Sequence, residues 1–229
     1  MFNLNNIFDW RKPNSVTHKL RKRRLQLFES IIRDIPGSLR ILDIGGDIDF
    51  WRILRFNNKR IKELVLLNLY VNDDIDNTQW IKSIRGDATD LRNFEDNEFD
   101  IAFSHSTIEH IGTFENQRLM ANEMMRVGKN YFVQTPNRYF PIEPHAMVPL
   151  GQFLPTRAKV WLGKRFDLGN YRKSDDIEAI LKEIHSLRLM TQNELLELFP
   201  GGAIWKEKLY MTTKSLVIYG NSENYAQSK

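Results

Sequence analysis

Short apolar runs alternate with amphipathic stretches along this chain, and their two periods predict strands alternating with helices. Leu25, Phe28, Ile32 and Ile35 keep a helical spacing behind Ser15 or Thr17, either of which can cap, and Pro36-Gly37 ends that helix. Arg40 to Ile44 is an apolar run that stops at Gly45-Gly46, the mark of a buried strand meeting a sharp turn. A short helix follows around Phe50 to Phe56, broken at Asn57-Asn58-Lys59. Leu64 to Leu69 and Ile81 to Arg85 read as the next two strands, with the polar stretch Val71 to Thr78 between them and Gly86-Asp87 after the second. Phe99 to Ser104 is a fourth strand, ending in S-H-S, and Tyr131 to Gln134 a fifth, ending in Thr135-Pro136-Asn137. Between these two, Leu119, Met120, Met124 and Val127 place a helix over Glu115 to Val127 that Gly128 stops.

Such alternation predicts an α/β fold built on a doubly wound, Rossmann-like parallel sheet with helices on both faces. Ligands bind such sheets in a crevice at the C-terminal strand ends. Asp43, Gly45, Gly46, Asp87 and the segment Ser104 to Ser106 all fall at such ends. The rhythm breaks over Arg138 to Arg172, where Tyr139, Phe140, Phe153, Trp161, Phe166 and Tyr171 are interspersed with prolines. A long, apolar, proline-broken stretch suits an inserted lid over a substrate, a packed helical excursion or an oligomer interface. Ser174 to Ile184 is helical, and Thr191 with Glu194 forms a T-x-x-E capping box before a helix that Pro200-Gly201-Gly202 ends. Two strands, Ala203 to Leu209 and Lys214 to Tyr219, precede a polar tail from Asn221 to Lys229. The expected organisation is a basic helical segment over 1–36 packing on a core of 37–229, with an insertion at about 138–172.

Composition narrows the chemistry. The chain has 229 residues, 41% of them hydrophobic and 27% charged, which places it among globular proteins and far from disorder. With no cysteine, disulfides, Cys-ligated zinc and a cysteine nucleophile are excluded. No apolar run approaches a membrane span, and M-F-N-L-N-N-I-F-D-W lacks the pattern of a signal peptide, so a cytoplasmic protein is expected. Arg11, Lys12, Lys19, Arg21, Lys22, Arg23 and Arg24 carry +7 with no intervening acid, leaving the remainder at −3 within a net +4. Nucleic acid or an anionic membrane surface could meet this segment, but a solvated helix start is the favoured reading.

Four pieces occur in an order that resembles the class I S-adenosylmethionine-dependent methyltransferases of the small-molecule type: I-L-D-I-G-G at 41–46, G-D-A-T-D-L at 86–91, F-D-I-A-F-S-H-S-T-I-E-H-I at 99–111 and E-M-M-R-V at 123–127. The resemblance covers roughly Arg40 to Asn137. It implies a mostly parallel sheet with an antiparallel last strand and S-adenosyl-L-methionine as cofactor. It assigns Asp43, Gly45, Gly46 and Asp47 to the glycine-rich loop beside the methionine part of the cofactor. Asn68, with Leu69 beside it, falls where the family has an acid on the ribose hydroxyls. Asp87 with Ala88 matches the pair that meets the adenine, and Ser104, His105 and Ser106 match the segment lining the cofactor and substrate pocket. Two positions depart from the family pattern: Asp47 and Asp49 replace later glycines, and Asn68 offers a ribose hydroxyl an amide without charge assistance.

Methyl transfer from a sulfonium draws mainly on proximity and alignment in a water-poor pocket. A hydroxyl acceptor would also need a base, for which His105, His110 and His145 are the candidates, His110 and His145 foremost. Glu109-His110 resembles two of the three metal ligands of ubiquinone-pathway O-methyltransferases, but Ser106 stands where the third, a glutamate, would be, and no metal is expected. The S-H-S-T turn after the fourth strand lacks the [N/D]-P-P-[Y/F] of base- and glutamine-directed amino-methyltransferases. A small-molecule or lipid-like acceptor is therefore the leading expectation. The alternatives are a non-catalytic cofactor-binding partner protein, raised by Asp47, Asp49 and Asn68, and an RNA-directed enzyme using the basic segment.

Overall fold

The computed structural model describes residues 11–13, 15–53, 59–70 and 80–222. The expectations for Asn57-Asn58, for Val71 to Thr78 and for most of the C-terminal tail lie outside the described residues. Helix α1 spans Val16–Arg33 and is capped by Ser15, whose hydroxyl oxygen accepts from the backbone N–H of His18. Strand β1 (Leu39–Ile44) leads through the glycine turn into the short helix α2 (Ile48–Ile53). Strands β2 (Ile61–Asn68), β3 (Ile81–Arg85) and β4 (Phe99–His105) follow, then helix α3 (Phe114–Val127) and strand β5 (Gly128–Pro136). After the insertion come helices α5 (Ile177–Ser186) and α6 (Gln192–Leu198) and strands β6 (Ala203–Leu209) and β7 (Thr212–Asn221), α4 (Thr156–Gly163) being the insertion's own helix.

The seven strands form one sheet in the order β3-β2-β1-β4-β5-β7-β6. β1 pairs parallel with β2 and β4, β2 with β3, and β4 with β5, whereas β7 runs antiparallel to both β5 and β6. The sequence order reverses direction on either side of β1, so the ends of β1 and β4 open a crevice there.

Period-two alternation sends side chains to two apolar layers. Leu39 and Ile41 join Phe28 and Ile32 of α1, with Phe50 and Trp51 of α2, on one face. Leu42 and Ile44 join Met120 and Met124 of α3 and Leu195 of α6 on the other. The Phe28 ring meets Phe103 edge-on at 5.0 Å and Phe132 at 5.3 Å, which fixes α1 against the middle of the sheet.

Gly128 ends α3 and begins β5 without an intervening loop, in extended backbone at φ −107°. It is glycine because of approach and not of turn: a Cβ there would lie 2.7 Å from the Cβ of Ala102 on β4. The insertion holds a single 3-10 turn, Gly151–Phe153, and α4, which packs on α5.

Candidate active site

A cavity of about 460 Å³ opens at the C-terminal ends of β1, β2 and β3, within the range of small-molecule sites. Gly45, Gly46 and Asp47 form one wall, Asn68 and Leu69 the next, and Asp87 and Ala88 the third. Thr107, His110 and Ile111, from the segment after β4, close the near side.

The glycine turn is shaped by its neighbours. Gly45 sits at φ +75°, and a Cβ on it would come 2.1 Å from Thr107 Oγ1; its N–H donates to the Leu67 carbonyl at 2.8 Å. A Cβ on Gly46 would come 2.7 Å from the carboxyl of Asp43. Asp43 lies beneath the turn, outside the cavity. Its Oδ2 accepts from Trp51 Nε1 at 2.8 Å, which ties α2 to the end of β1. Its Oδ1 is buried and unpartnered, and burial, with Asp47 nearby, pushes its pKa up to about 7 against the bond from Trp51.

Asn68 Nδ2 donates to the Gly46 carbonyl at 2.9 Å, leaving Oδ1 to accept from a ligand hydroxyl. Asp87 Oδ1 accepts from the backbone N–H and hydroxyl of Thr89, so its second oxygen is the one left for a ligand.

Ser104, His105 and Ser106 lie outside this cavity. Ser104 is fully buried, and Ser106, at φ +57°, donates its hydroxyl to Gln134 Oε1 at 2.9 Å. His105 stacks near Phe50 at 4.6 Å, with Nε2 2.7 Å from Arg24 Nη1. A guanidinium only donates, so that ring nitrogen accepts and His105 is neutral. Burial and the Arg24 charge hold its pKa well below the ordinary value.

Arg24 itself, counted among the basic cluster, turns inward. Its guanidinium meets Glu207 of β6 through two bonds, 2.7 and 3.0 Å long, and donates to Gln134 at 2.8 Å. Half-buried Arg21 behind it is pushed down to about 9 by burial and by Arg24. The +7 segment is thus not one exposed patch: Arg24 is spent inside, while Arg11, Lys12, Lys19, Lys22 and Arg23 face solvent.

His110 and His145 come together, their rings edge-to-face with centroids 4.8 Å apart. His110 stands on the 3-10 turn Ile108–His110; desolvation at the cavity wall and the neighbouring His145 hold its pKa down to about 4. His145 Nδ1 lies 2.8 Å from Glu143 Oε1, an acceptor, so Nδ1 carries the proton and Nε2 points its lone pair elsewhere. Burial opposes ionisation of Glu143, but bonds from the His145 ring and from the backbone N–H groups of Ala146 and His145 bring its pKa below the ordinary value. The insertion pins this loop: Asn170 N–H donates to the His145 carbonyl at 2.8 Å. Glu143 and Ala146, flanking His145, line a second cavity of about 270 Å³ walled by Leu154, Leu162, Leu168 and Ile184.

Thr107 is absent from the sequence expectations, and Glu109 enters them only beside His110, through the resemblance to two of three metal ligands. Nothing local marks Thr107, whereas Glu109 stands in the quoted I-E-H-I and only the fold shows it to be completely buried.

Residues 65–131 match the family described as Methyltransferase domain. The fold is that of the class I methyltransferases. The chain superposes on the CurJ carbon methyltransferase with TM-score 0.58 at 11% identity, covering 96% of this chain and 58% of that one. It is also similar to the methyltransferase domain of bacterial CtHen1-C (TM-score 0.53, 10% identity, 88% and 98% covered) and to an S-adenosylmethionine-dependent methyltransferase from Mesorhizobium loti (TM-score 0.51, 15% identity, 85% and 96% covered). No curated protein matches the sequence. The Mesorhizobium loti protein is described as using S-adenosylmethionine, and the candidate site of this chain can be compared with that cofactor. Its crevice fits that cofactor: the cavity offers glycine backbone for close approach, a hydroxyl acceptor in Asn68, apolar surface at Leu69, Ala88 and Ile111, and acidic side chains toward a cation. Among the described residues no helix is long and apolar enough to cross a membrane.

Proposed function

We propose that this methyltransferase domain moves the methyl group of S-adenosylmethionine onto a small-molecule or lipid-like acceptor held beneath the insertion at 138–172. The observation that carries this reading is a pair of cavities, one lined by His110 and the other by Glu143 and Ala146 on either side of His145, whose ring packs on that of His110. One suits the cofactor; the other is apolar-walled and enclosed by the insertion. The bound cofactor supplies an electrophilic methyl on a positively charged sulfur.

In this reading Gly45, Gly46 and Asp47 seat the amino-acid end of the cofactor, Asn68 and Leu69 the ribose, and Asp87 and Ala88 the base. Asp43 positions α2 through Trp51. The second cavity excludes water from the acceptor's apolar body. Arg138, Lys159 and Arg172 on its lining favour an acceptor that also carries a negative group. The acceptor's reacting atom is brought to the histidine pair, where its proton is handled. Ser104, His105 and Ser106 carry the floor behind the pair through Gln134 and Arg24.

Isothermal titration of the purified protein with S-adenosylhomocysteine tests the cofactor half. Saturable binding, weakened at least tenfold by Asn68→Leu, is the expected result, and no heat at millimolar ligand overturns it. Filling the second cavity by Leu168→Trp should leave that binding intact while abolishing methyl transfer to acceptors in a cell extract. Retained transfer would place the acceptor elsewhere.

A further inference from the structure

The side chains of Glu109, His110 and His145 converge so that one ligand atom from each lies within 4.8 Å of the others. Glu109 is completely buried; its Oε2 accepts from the Thr135 hydroxyl at 2.9 Å, and its Oε1 has no hydrogen-bond partner. A buried carboxylate oxygen without a donor is costly, and native proteins rarely leave one so.

The two histidines add what a carboxylate alone lacks. His145 donates Nδ1–H to Glu143, leaving Nε2 as a lone-pair donor whose ring orientation is fixed. A carboxylate behind a histidine is the usual second layer of a metal site, where it sets the tautomer and stiffens the ring. His110 offers its ring from the exposed end of the 3-10 turn Ile108–His110, whose other two residues are buried.

We infer that Glu109, His110 and His145 form a binding site for a zinc-like divalent transition-metal ion. Two imidazoles and one carboxylate are the donor set of a three-protein-ligand site that keeps a fourth position open. Imidazole nitrogens select borderline ions of this kind over magnesium or calcium, which take oxygen. Bonds of about 2.0–2.1 Å put the ligand atoms of a tetrahedral ion roughly 3.3 Å apart, so the widest pair closes by about 1.5 Å on loading. The motion falls to His110, the exposed member of the three. The expectation that no metal binds rested on Ser106, whose hydroxyl goes to Gln134; the third donor arrives instead on the loop after β5. His110 also lines the cofactor cavity, so the site borders that cavity. Its catalytic meaning, polarising an acceptor hydroxyl so that it loses its proton more readily, rests on the methyl-transfer reading; the binding site itself does not.

The test is metal binding by the intact protein after chelator treatment and dialysis. Zinc should bind at one equivalent by calorimetry. Cobalt(II) should give the visible bands of a low-coordinate site, bleached by added zinc and unaffected by equimolar magnesium. Affinity for zinc should fall at least a hundredfold in His145→Ala and in His110→Ala, the latter an exposed position that does not threaten folding. Glu143→Gln, which leaves all three ligands in place, should weaken binding by about 10–100-fold. Failure of the wild type to bind zinc at millimolar concentration, or tight binding that survives both histidine substitutions, overturns the site. If zinc fails while S-adenosylhomocysteine binds, the metal inference falls and the methyl-transfer reading stands; the opposite pattern sinks the latter alone.

Discussion

Removing Arg24 tests how the N-terminal helix is held. Its guanidinium and Glu207 are 5% and 1% exposed and meet at 2.7 Å. At an effective dielectric of ~20, a pair at this distance attracts by about 6 kcal/mol, and desolvation of two ions removes a comparable amount. The net worth of the pair is therefore small, but the cost of breaking it is not. In Arg24→Met, Glu207 stays buried without its cation, and His105 and Gln134 lose a donor, so unfolding free energy should drop by about 3–5 kcal/mol. For a chain of this size that lowers Tm by roughly 6–20 °C. The double variant Arg24→Met/Glu207→Leu replaces the pair with apolar volume and should return to within about 2 kcal/mol of wild type. Urea unfolding followed by tryptophan fluorescence at pH 7.5 reads both. The sign of the pH effect is also fixed: unpaired Glu207 takes up a proton more easily than in water, so the penalty shrinks as pH falls through ~4.3. A single-variant loss under about 1 kcal/mol, or a double variant no better than the sum of the two singles, would refute the account.

Gly45→Ala should cost roughly 2–4 kcal/mol, combining a left-handed backbone with a Cβ driven against Thr107; adding Thr107→Ala should recover only the steric share, and a Gly45→Ala protein as stable as wild type contradicts the turn described. Asp43 and Glu109 both have folded pKa values pushed up to about 7 by burial, from 3.8 and 4.5. The stability they contribute is thus complete below their ordinary values and lost as pH rises toward 7. Thermal melts should show Tm declining over that window in the metal-free protein, and less steeply in Asp43→Asn and Glu109→Gln; an unchanged slope in both variants rules this out.

What the sequence disclosed follows the range of the interactions. The Ser15 cap, the Thr191–Glu194 capping box and the strand Ile81–Arg85 depend on residues a few positions apart, and each is where the pattern put it. β2 begins three residues earlier than its apolar run, because Ile61 and Glu63 pair with Leu39 and Arg40 of β1, with Lys62 at an irregularity between them. α2 spans Ile48–Ile53, ahead of the expected Phe50, because Trp51 is drawn inward to Asp43. The polarity of Arg24 could not reveal a partner 183 residues away. Nor could the spacing of His110 and His145 reveal that the insertion folds one against the other. The glycine turn was readable; Thr107, against which it is moulded, was not.

The reversed strand β7 has a consequence for how the chain is made. It lies between β5 and β6, and it alone pairs with the outer edge of β5. While a ribosome works through residues 137–211, the row from Tyr131 to Gln134 is paired in parallel with β4 on one side and has open amides and carbonyls on the other. Those residues are buried in the finished protein, with no charge among them to repel a second copy. A chain whose synthesis has not yet reached β7 therefore exposes an apolar template for strand addition. Substitutions that slow the arrival of β7 should show themselves first as aggregation during expression, before any loss of stability in the protein that survives.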